Sequence, residues 1–503
     1  MSTRPRLGVT ATVMRSCRRR CSVRVLGGSI SAAGTVAVVL AAVSASPAAA
    51  QPLEFTKVWA QQVADNSPIS LSSPNVATLR GEPAVVVGDR GGYVYAFSLA
   101  DGAPVAGWPA STGGVPVNST PSVAAITPGS PNDSIFVGVG TAATPHEGGY
   151  EAFSPSGTKR WFVTIHNPGA SYVSGVVASL TVGNLQGGLD VVAPSIGQQE
   201  DAINASTGAV LSGFPRFDGD GDYATPALAD LYGNGELDIV NGGGQTAGLA
   251  YRTQYTQGGH VNVLSRTGNA GAKTPNGGLI CQYNPNESVE SSPAVGPFLS
   301  GASEGIAVGT GDYFPGAPDS DMVLAFTTHC KLVWSTRLNG LTTSSPALAN
   351  LSGDGKLEVV EGTDNQHGGG SVYALNGANG AVIWRQPIDG EVIGGVVSAN
   401  LGAGYQDVIV ASTGGAEVLD GRTGNVVATL ERGVGLQNYG LVTDDPDGSI
   451  GVTLAGYDAE DRGVVQHYEL VGSKGANVDQ PGGWPMFHHD PALSGNAQAA
   501  VAG

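Results

Sequence analysis

One phrase recurs along most of this chain and constrains the fold more than any other feature. It reads small-Pro-apolar-apolar-small-polar-Leu, then a Gly/Asn/Asp turn, an apolar strand and a Gly. The clearest copies are Ser345-Pro346-Ala347-Leu348-Ala349-Asn350-Leu351 and Thr225-Pro226-Ala227-Leu228-Ala229-Asp230-Leu231. Others begin at Ser73-Pro74, Thr120-Pro121 and Ser292-Pro293, and degenerate copies centre on Leu180, Val396 and Gly440. The spacing is roughly 45–67 residues, around the period of propeller blades. A unit of that size cannot bury its own apolar face, so neighbours must stack.

The copy at Pro346 shows the internal plan. Residues 346–351 read as an inner strand of small and apolar residues, and Ser352-Gly353-Asp354-Gly355 as a turn. Leu357-Glu358-Val359-Val360-Glu361-Gly362, Ser371-Val372-Tyr373-Ala374-Leu375 and Ala381-Val382-Ile383-Trp384 read as three more strands. Trp161, Trp334 and Trp384 fall at one equivalent point of the fourth strand. Eight such units can be counted, but the eighth lacks a fourth strand, and Phe55-Thr56-Lys57-Val58-Trp59 is a fourth strand without a unit. Sharing one blade between the two ends closes the ring and removes the exposed sheet edges. The expected fold is therefore all-β: an eight-bladed β-propeller of four-stranded blades over residues 51–471, closed by an N-terminal strand. Residues 472–503 are expected to form a C-terminal tail.

Residues 1–50 hold seven Arg and no acidic residue, an apolar run over 32–43, and Ala48-Ala49-Ala50 before Gln51. That is the pattern of a secretory signal peptide. The apolar run is shorter than the ~20 residues of a membrane span, so the mature chain is expected outside the cytoplasm with no span. Its acidic residues then outnumber Lys and Arg by 42 to 17, which disfavours nucleic acid and anionic lipid as partners. Cys281 and Cys330 are the cysteines left. Export permits a disulfide between them, since both fall on or near outer strands of adjacent repeats; two partly buried thiols are the alternative.

The phrase Ala374-Leu375-Asn376-Gly377-Ala378-Asn379-Gly380-Ala381-Val382-Ile383-Trp384 resembles the tryptophan-docking motif of the quinoprotein-like (PQQ-like) propellers. The phrase Asn350-Leu351-Ser352-Gly353-Asp354-Gly355-Lys356-Leu357-Glu358-Val359 resembles the cation loop of FG-GAP repeats. The resemblance covers nearly all of 53–490 and implies architecture, since one such fold serves enzymes, adhesion modules and scaffolds. It also implies calcium at Asn350, Ser352, Asp354 and Glu358; an ordinary Asx/Gly turn is the alternative. The enzymes among these relatives place an adjacent cysteine pair beside PQQ. The mature chain has none, so PQQ is not expected.

A second candidate cation site is Asp218-Gly219-Asp220-Gly221-Asp222, where three carboxylates at alternate positions can converge on calcium. Tyr223 stands where a helix-flanked calcium loop has Gly, and an exposed acidic turn is the alternative. In a propeller this segment lies on the face of the second-to-third-strand loops, which are long at 141–148, 245–258, 311–321 and 364–369. They carry Tyr251, Arg252, Tyr255, Tyr313, Asp319, Asp321, Asp364 and His367, with His146 and Phe314 nearby. Uneven loop growth on one face suggests a ligand face, because function lives on loops held by a rigid scaffold; neutral drift of loop length is the alternative. Gly301-Ala302-Ser303-Glu304-Gly305 matches a nucleophile-elbow string but joins two strands, not a strand and a helix. His488 and His489 read as surface or packing residues.

These features point to a secreted, calcium-stabilised binding or scaffold module for an extracellular protein or cell-envelope glycan. The rival is an extracellular enzyme: a polysaccharide lyase or hydrolase using the loop carboxylates, or a PQQ-dependent dehydrogenase.

Overall fold

The computed structural model describes residues 52–145, 147–165, 173–245, 258–268, 278–314, 316–366, 368–474 and 483–498. Contacts divide the chain between Ala49 and Ala50, and every described residue belongs to the second unit. The expected signal peptide, with His146, Tyr251, Arg252, Tyr255 and His367, lies outside the described residues. Among the described residues there is no helix, and so none long and apolar enough to cross a membrane.

Eight four-stranded antiparallel sheets form the fold. Blades 1 to 7 span residues 75–111, 122–164, 181–217, 227–283, 294–337, 347–389 and 396–432. Blade 8 takes three strands from 441–470, and Phe55–Gln62 pairs antiparallel with Gly463–Leu470 as its fourth. The ring therefore closes by sheet hydrogen bonds between the two ends of the propeller. Each first strand touches the first strands of both neighbours all the way round. These inner strands are short and built from small residues, as in Ala227–Ala229 and Ala347–Ala349. Eight sheets converging on one axis leave no room for anything larger.

The recurring Ser/Thr before the proline has a specific task. The Ser73 N–H donates to Thr120 Oγ1 (3.0 Å), Thr120 to Ser179 Oγ (2.8 Å), and Ser179 to Thr225 Oγ1 (2.9 Å). Thr225 continues to Ser292 (3.0 Å) and Ser292 to Ser345 (2.9 Å). Each hydroxyl satisfies a buried backbone donor of the preceding blade, a group costly to leave unpaired. Blade 7 has Gly395 at this position and cannot supply a hydroxyl. Tyr439 of blade 8 reaches back over it: its hydroxyl accepts the Ser345 N–H (2.8 Å) and donates to the Ser345 carbonyl (3.1 Å). The Tyr439 N–H then meets Ser73 Oγ (3.1 Å) and completes the belt. A Cβ on Gly395 would lie 2.4 Å from the Tyr439 ring, which accounts for the glycine.

The outer rim is tied by tryptophans. The indole N–H groups of Trp59, Trp161, Trp334 and Trp384 donate to Leu99, Ala205, Gly377 and Gly421 carbonyls in the next blade, at 2.7–2.9 Å. Each ring lies on a glycine with φ near +71° to +73°, where a Cβ would come within 2.5–2.8 Å of it. Cys281 occupies the corresponding register position of blade 4, opposite Val263 as Trp384 is opposite Ala374. It is disulfide-bonded to Cys330 in the outer turn of blade 5 (Cα–Cα 5.8 Å). A covalent bridge thus stands where other blades use indole docking.

Residues 484–497, read from sequence as part of a tail, run inside the ring. Trp484 pairs with Ser398 in both directions (2.8 and 2.9 Å), and the Pro485 carbonyl accepts the Val442 N–H (2.8 Å). The Pro491 carbonyl accepts Val123 N–H (2.8 Å) and Asn75 Nδ2 (3.1 Å). Ala492, Ser494 and Gly495 carbonyls accept the N–H groups of Val182, Leu228 and Val295, each at 2.8 Å. The segment follows the wall in blade order from 7 through 8 and 1 to 5. It caps inner strands that otherwise have a sheet partner on one side only. Trp484 is the largest fully buried side chain, and His488 and His489 are buried packing residues.

Three outcomes are expected. Reducing the disulfide, or Cys281→Ser/Cys330→Ser, should lower stability by about 4 kcal/mol, from loop closure over 49 residues; a chemical denaturation midpoint reads this. Tyr439→Phe should cost about 1–3 kcal/mol, because it orphans buried groups of Ser345. Trp484→Ala should cost about 3–5 kcal/mol by leaving a cavity, where a detached tail would give no change.

Candidate functional site

Two groups of residues have chemistry to offer, and both lie on the face expected from topology. The connections from one blade to the next meet the second-to-third-strand loops there. Asn286 and Glu287, between blades 4 and 5, bond to the 311–321 loop of blade 5. Blades 3 and 7 have short loops on this face, between Pro194 and Gln199 and between Ser412 and Gly415.

The first group is the mouth of the channel. The hydroxyls of Ser73, Thr120, Ser179, Thr225, Ser292 and Ser345 line a cup of about 180 Å³ whose floor is Phe487. Tyr439, Glu290, Leu71 and Tyr223 also line it, the last two reaching 38 % exposure. The volume lies below the ~300–1,000 Å³ of pockets that enclose a small molecule. A partner larger than a few atoms must therefore rest on the rim.

Tyr313, in the 311–321 loop of the same face, is 65 % exposed. It is exposed but not loose. The buried Glu287 carboxylate accepts the N–H groups of Tyr313 (2.9 Å) and Phe314 (3.1 Å) and the Ser320 hydroxyl (3.2 Å). Phe314 braces the Tyr313 ring edge-on at 5.0 Å. The expected loop acids serve the loops themselves. Asp319 accepts the backbone and side-chain N–H groups of Asn286 (2.8 and 2.9 Å). Asp364 caps Gln366 N–H, and burial raises the Asp321 carboxyl. Glu287 was missed in the sequence, where one Glu in a connection carries no motif.

The second group is buried between blades 3 and 4. Arg216 donates to Glu200 Oε2 (3.2 Å) and to Asp218. Asp218 Oδ2 accepts from Asn241 Nδ2 (2.7 Å), and Asp222 Oδ1 accepts the Gly244 N–H (3.0 Å). His260, on the third strand of blade 4, turns Nε2 toward Asp218 Oδ1 (3.7 Å) and Asp222 Oδ2 (3.8 Å). Burial works to raise the Asp218 carboxyl, but Arg216 and His260 overcome it and hold it at about 2. Burial and the Asp218 charge push Asp222 well above the usual carboxylate range and Glu200 up to about 8. Of the three aspartates read as a cation loop, Asp218 and Asp222 converge with His260, while Asp220 turns to its own backbone at Gly221. His260 was missed because it is 38 residues further on.

The loop of Asn350, Ser352, Asp354 and Glu358 lies on the opposite face, between first and second strands. Asn350 Oδ1 accepts Gly353 and Gly355 N–H (2.9 and 3.2 Å), and Glu358 accepts Leu351 N–H (3.0 Å). Asp354 accepts the Lys356 N–H (2.9 Å) and holds its ammonium. These oxygens serve the loop's own donors, as in an Asx/Gly turn.

No protein-family profile matches the chain, and no curated protein matches it significantly. Solved structures do. BamB from Moraxella catarrhalis aligns with a TM-score of 0.53 at 13 % identity, over 83 % of this chain and 100 % of its own. Quinohemoprotein alcohol dehydrogenase ADHIIG from Pseudomonas putida HK5 aligns with a TM-score of 0.55 at 13 % identity, over 85 % and 77 %. At this identity the likeness is one of fold, that of a β-propeller.

Proposed function

We propose that this chain is an exported, non-catalytic propeller that binds or scaffolds a protein or a cell-envelope glycan through the long-loop face. The observation that carries the reading is Tyr313, 65 % exposed yet held by three hydrogen bonds of its loop to Glu287. An exposed aromatic ring on a loop whose backbone is already pinned costs little loop ordering on contact, which is the property of a binding anchor. Tyr223 and Leu71 add exposed apolar surface to the hydroxyl-lined cup, a mixture suited to sugar rings and to protein side chains. The inter-blade disulfide and the N-terminal signal pattern support export.

A quinone cofactor suits this site poorly. PQQ carries three carboxylates, whereas the described residues lining the cup include Glu290 and no Lys or Arg. Both cysteines beyond residue 50 are engaged in the inter-blade bridge. No redox step is derived through it. Calcium at the Asn350 loop enters this reading only as a stabilising ion, and it would have to displace Lys356 from Asp354.

Glycan-array and pull-down screening of the wild type against Tyr313→Ala and Tyr223→Ala tests the proposal. Loss of a hot-spot anchor should weaken a captured ligand by about tenfold or more. Unchanged binding by the double variant would remove this face as the recognition surface.

A further inference from the structure

The buried cluster between blades 3 and 4 carries an inference independent of the rim. We propose that Asp218, Asp222 and His260 form a site for a divalent transition-metal ion of the zinc type, distinct from the calcium loop that Asp218, Asp220 and Asp222 suggest in sequence.

The ligand atoms come first. One oxygen from each aspartate and one nitrogen of His260 lie within 4.8 Å of one another. His260 Nε2 sits 3.7 and 3.8 Å from the two carboxylates, too far for a hydrogen bond. Ligands around a tetrahedral ion at ~2.0–2.2 Å stand about 3.4 Å apart, so a small contraction suffices. His260 is 0 % exposed and Asp222 1 %. Yet His260 Nε2 has no hydrogen-bond partner, and Asp222 Oδ2 has no hydrogen-bonding neighbour but the Asp218 carboxylate. Buried polar atoms are nearly always paired, and these two aim at the same point.

The supporting shell is the second observation. Each ligand has its other polar atom held. Asn241 Nδ2 fixes Asp218 Oδ2 (2.7 Å), and the Gly244 N–H fixes Asp222 Oδ1 (3.0 Å). The Gly244 carbonyl lies 3.1 Å from His260 Nδ1. With the proton on Nδ1 and donated to Gly244, Nε2 presents its lone pair to the carboxylates. The Gln245 amide also faces Nδ1 (2.9 Å), and turning it over brings its unpartnered Oε1 onto that proton. Metal-bound imidazoles are oriented in this way.

His467 in blade 8 shows the difference. It also sits buried beside carboxylates, near Asp445 and Glu469. But its Nε2 meets Asp445 at 2.9 Å, its Nδ1 meets Thr453 Oγ1 at 2.9 Å, and its ring stacks on Trp59. That histidine is satisfied by protein; His260 is not.

Charge and ligand type name the ion. Glu200 and Asp218 share one guanidinium, Arg216, and Asp222 stands beside Asp218, so a dication would meet a concentration of acidic oxygens with a single cation to offset it. An imidazole nitrogen with two carboxylates suits zinc and its neighbours, whereas calcium and magnesium take oxygen alone. Asp220 and Gly221 are partly exposed between the two ligating aspartates, so the site lies one residue below the surface.

The test uses the full mature chain, stripped with chelator and titrated with Zn²⁺ by calorimetry, and separately with Co²⁺ followed by visible absorption. One ion per chain is expected, with a cobalt spectrum showing nitrogen coordination and no displacement by excess Ca²⁺. His260→Gln and Asp222→Asn should each weaken uptake by at least the roughly 10–100-fold that loss of an orienting partner costs a metal site. His467→Gln should leave uptake unchanged. Failure of the folded wild type to take up either ion, cobalt bound by oxygen alone, or affinity unaltered in folded His260→Gln would each overturn the site. The cobalt measurement stands if a variant does not fold, and none of these results bears on Tyr313.

Discussion

The ring depends on how buried backbone donors at its centre are satisfied. Eight sheets meet edge-on around an axis, and each inner edge presents N–H groups with no strand beside them. Water would satisfy them in an open channel, but a wet channel would forgo the apolar contact of Trp484, Met486 and Phe487. The molecule answers twice. The Ser/Thr before each proline takes the donor of the neighbouring blade, and residues 484–497 supply carbonyls one position further along. Edges that would template aggregation elsewhere become internal joints.

The same logic explains why the repeats need not be identical. Blade 7 lacks the hydroxyl, and Tyr439 spans the gap, with Gly395 clearing space for its ring. Blade 4 lacks the docking tryptophan, and the Cys281–Cys330 bridge stands in its place. What persists around the ring is a connection between adjacent blades at the inner radius, joined at the outer radius by four tryptophans and one disulfide. The chemistry of that connection changes from blade to blade.

This division also accounts for what was legible in the sequence. Strand number, blade number, the tryptophan position and closure by Phe55–Gln62 all rest on local patterns: alternation, turn residues and a period. Trp384, for example, could be placed because three strands and their turns precede it in order. The path of residues 484–497 could not, because its partners lie one per blade across almost the whole chain. The buried cluster was legible by half. Asp218 and Asp222 stand close in sequence, but strand pairing opposite Gly243 is what brings His260 to them. The Asn350 loop has the spacing of a cation loop, yet spacing does not reveal that Lys356 and the loop amides compete for the same oxygens.

The course of residues 484–497 has a consequence for how the molecule is made. Synthesis delivers Phe55–Gln62 first, but its only sheet neighbour, Gly463–Leu470, arrives some four hundred residues later. The lining of the axis arrives later still. Blades 1 to 7 must therefore wait as an unsealed arc until residues 441–497 decide whether it becomes a circle. Delay or loss of residues 484–497 is felt at once by almost every sheet, which couples the integrity of the whole to a stretch made after all eight blades.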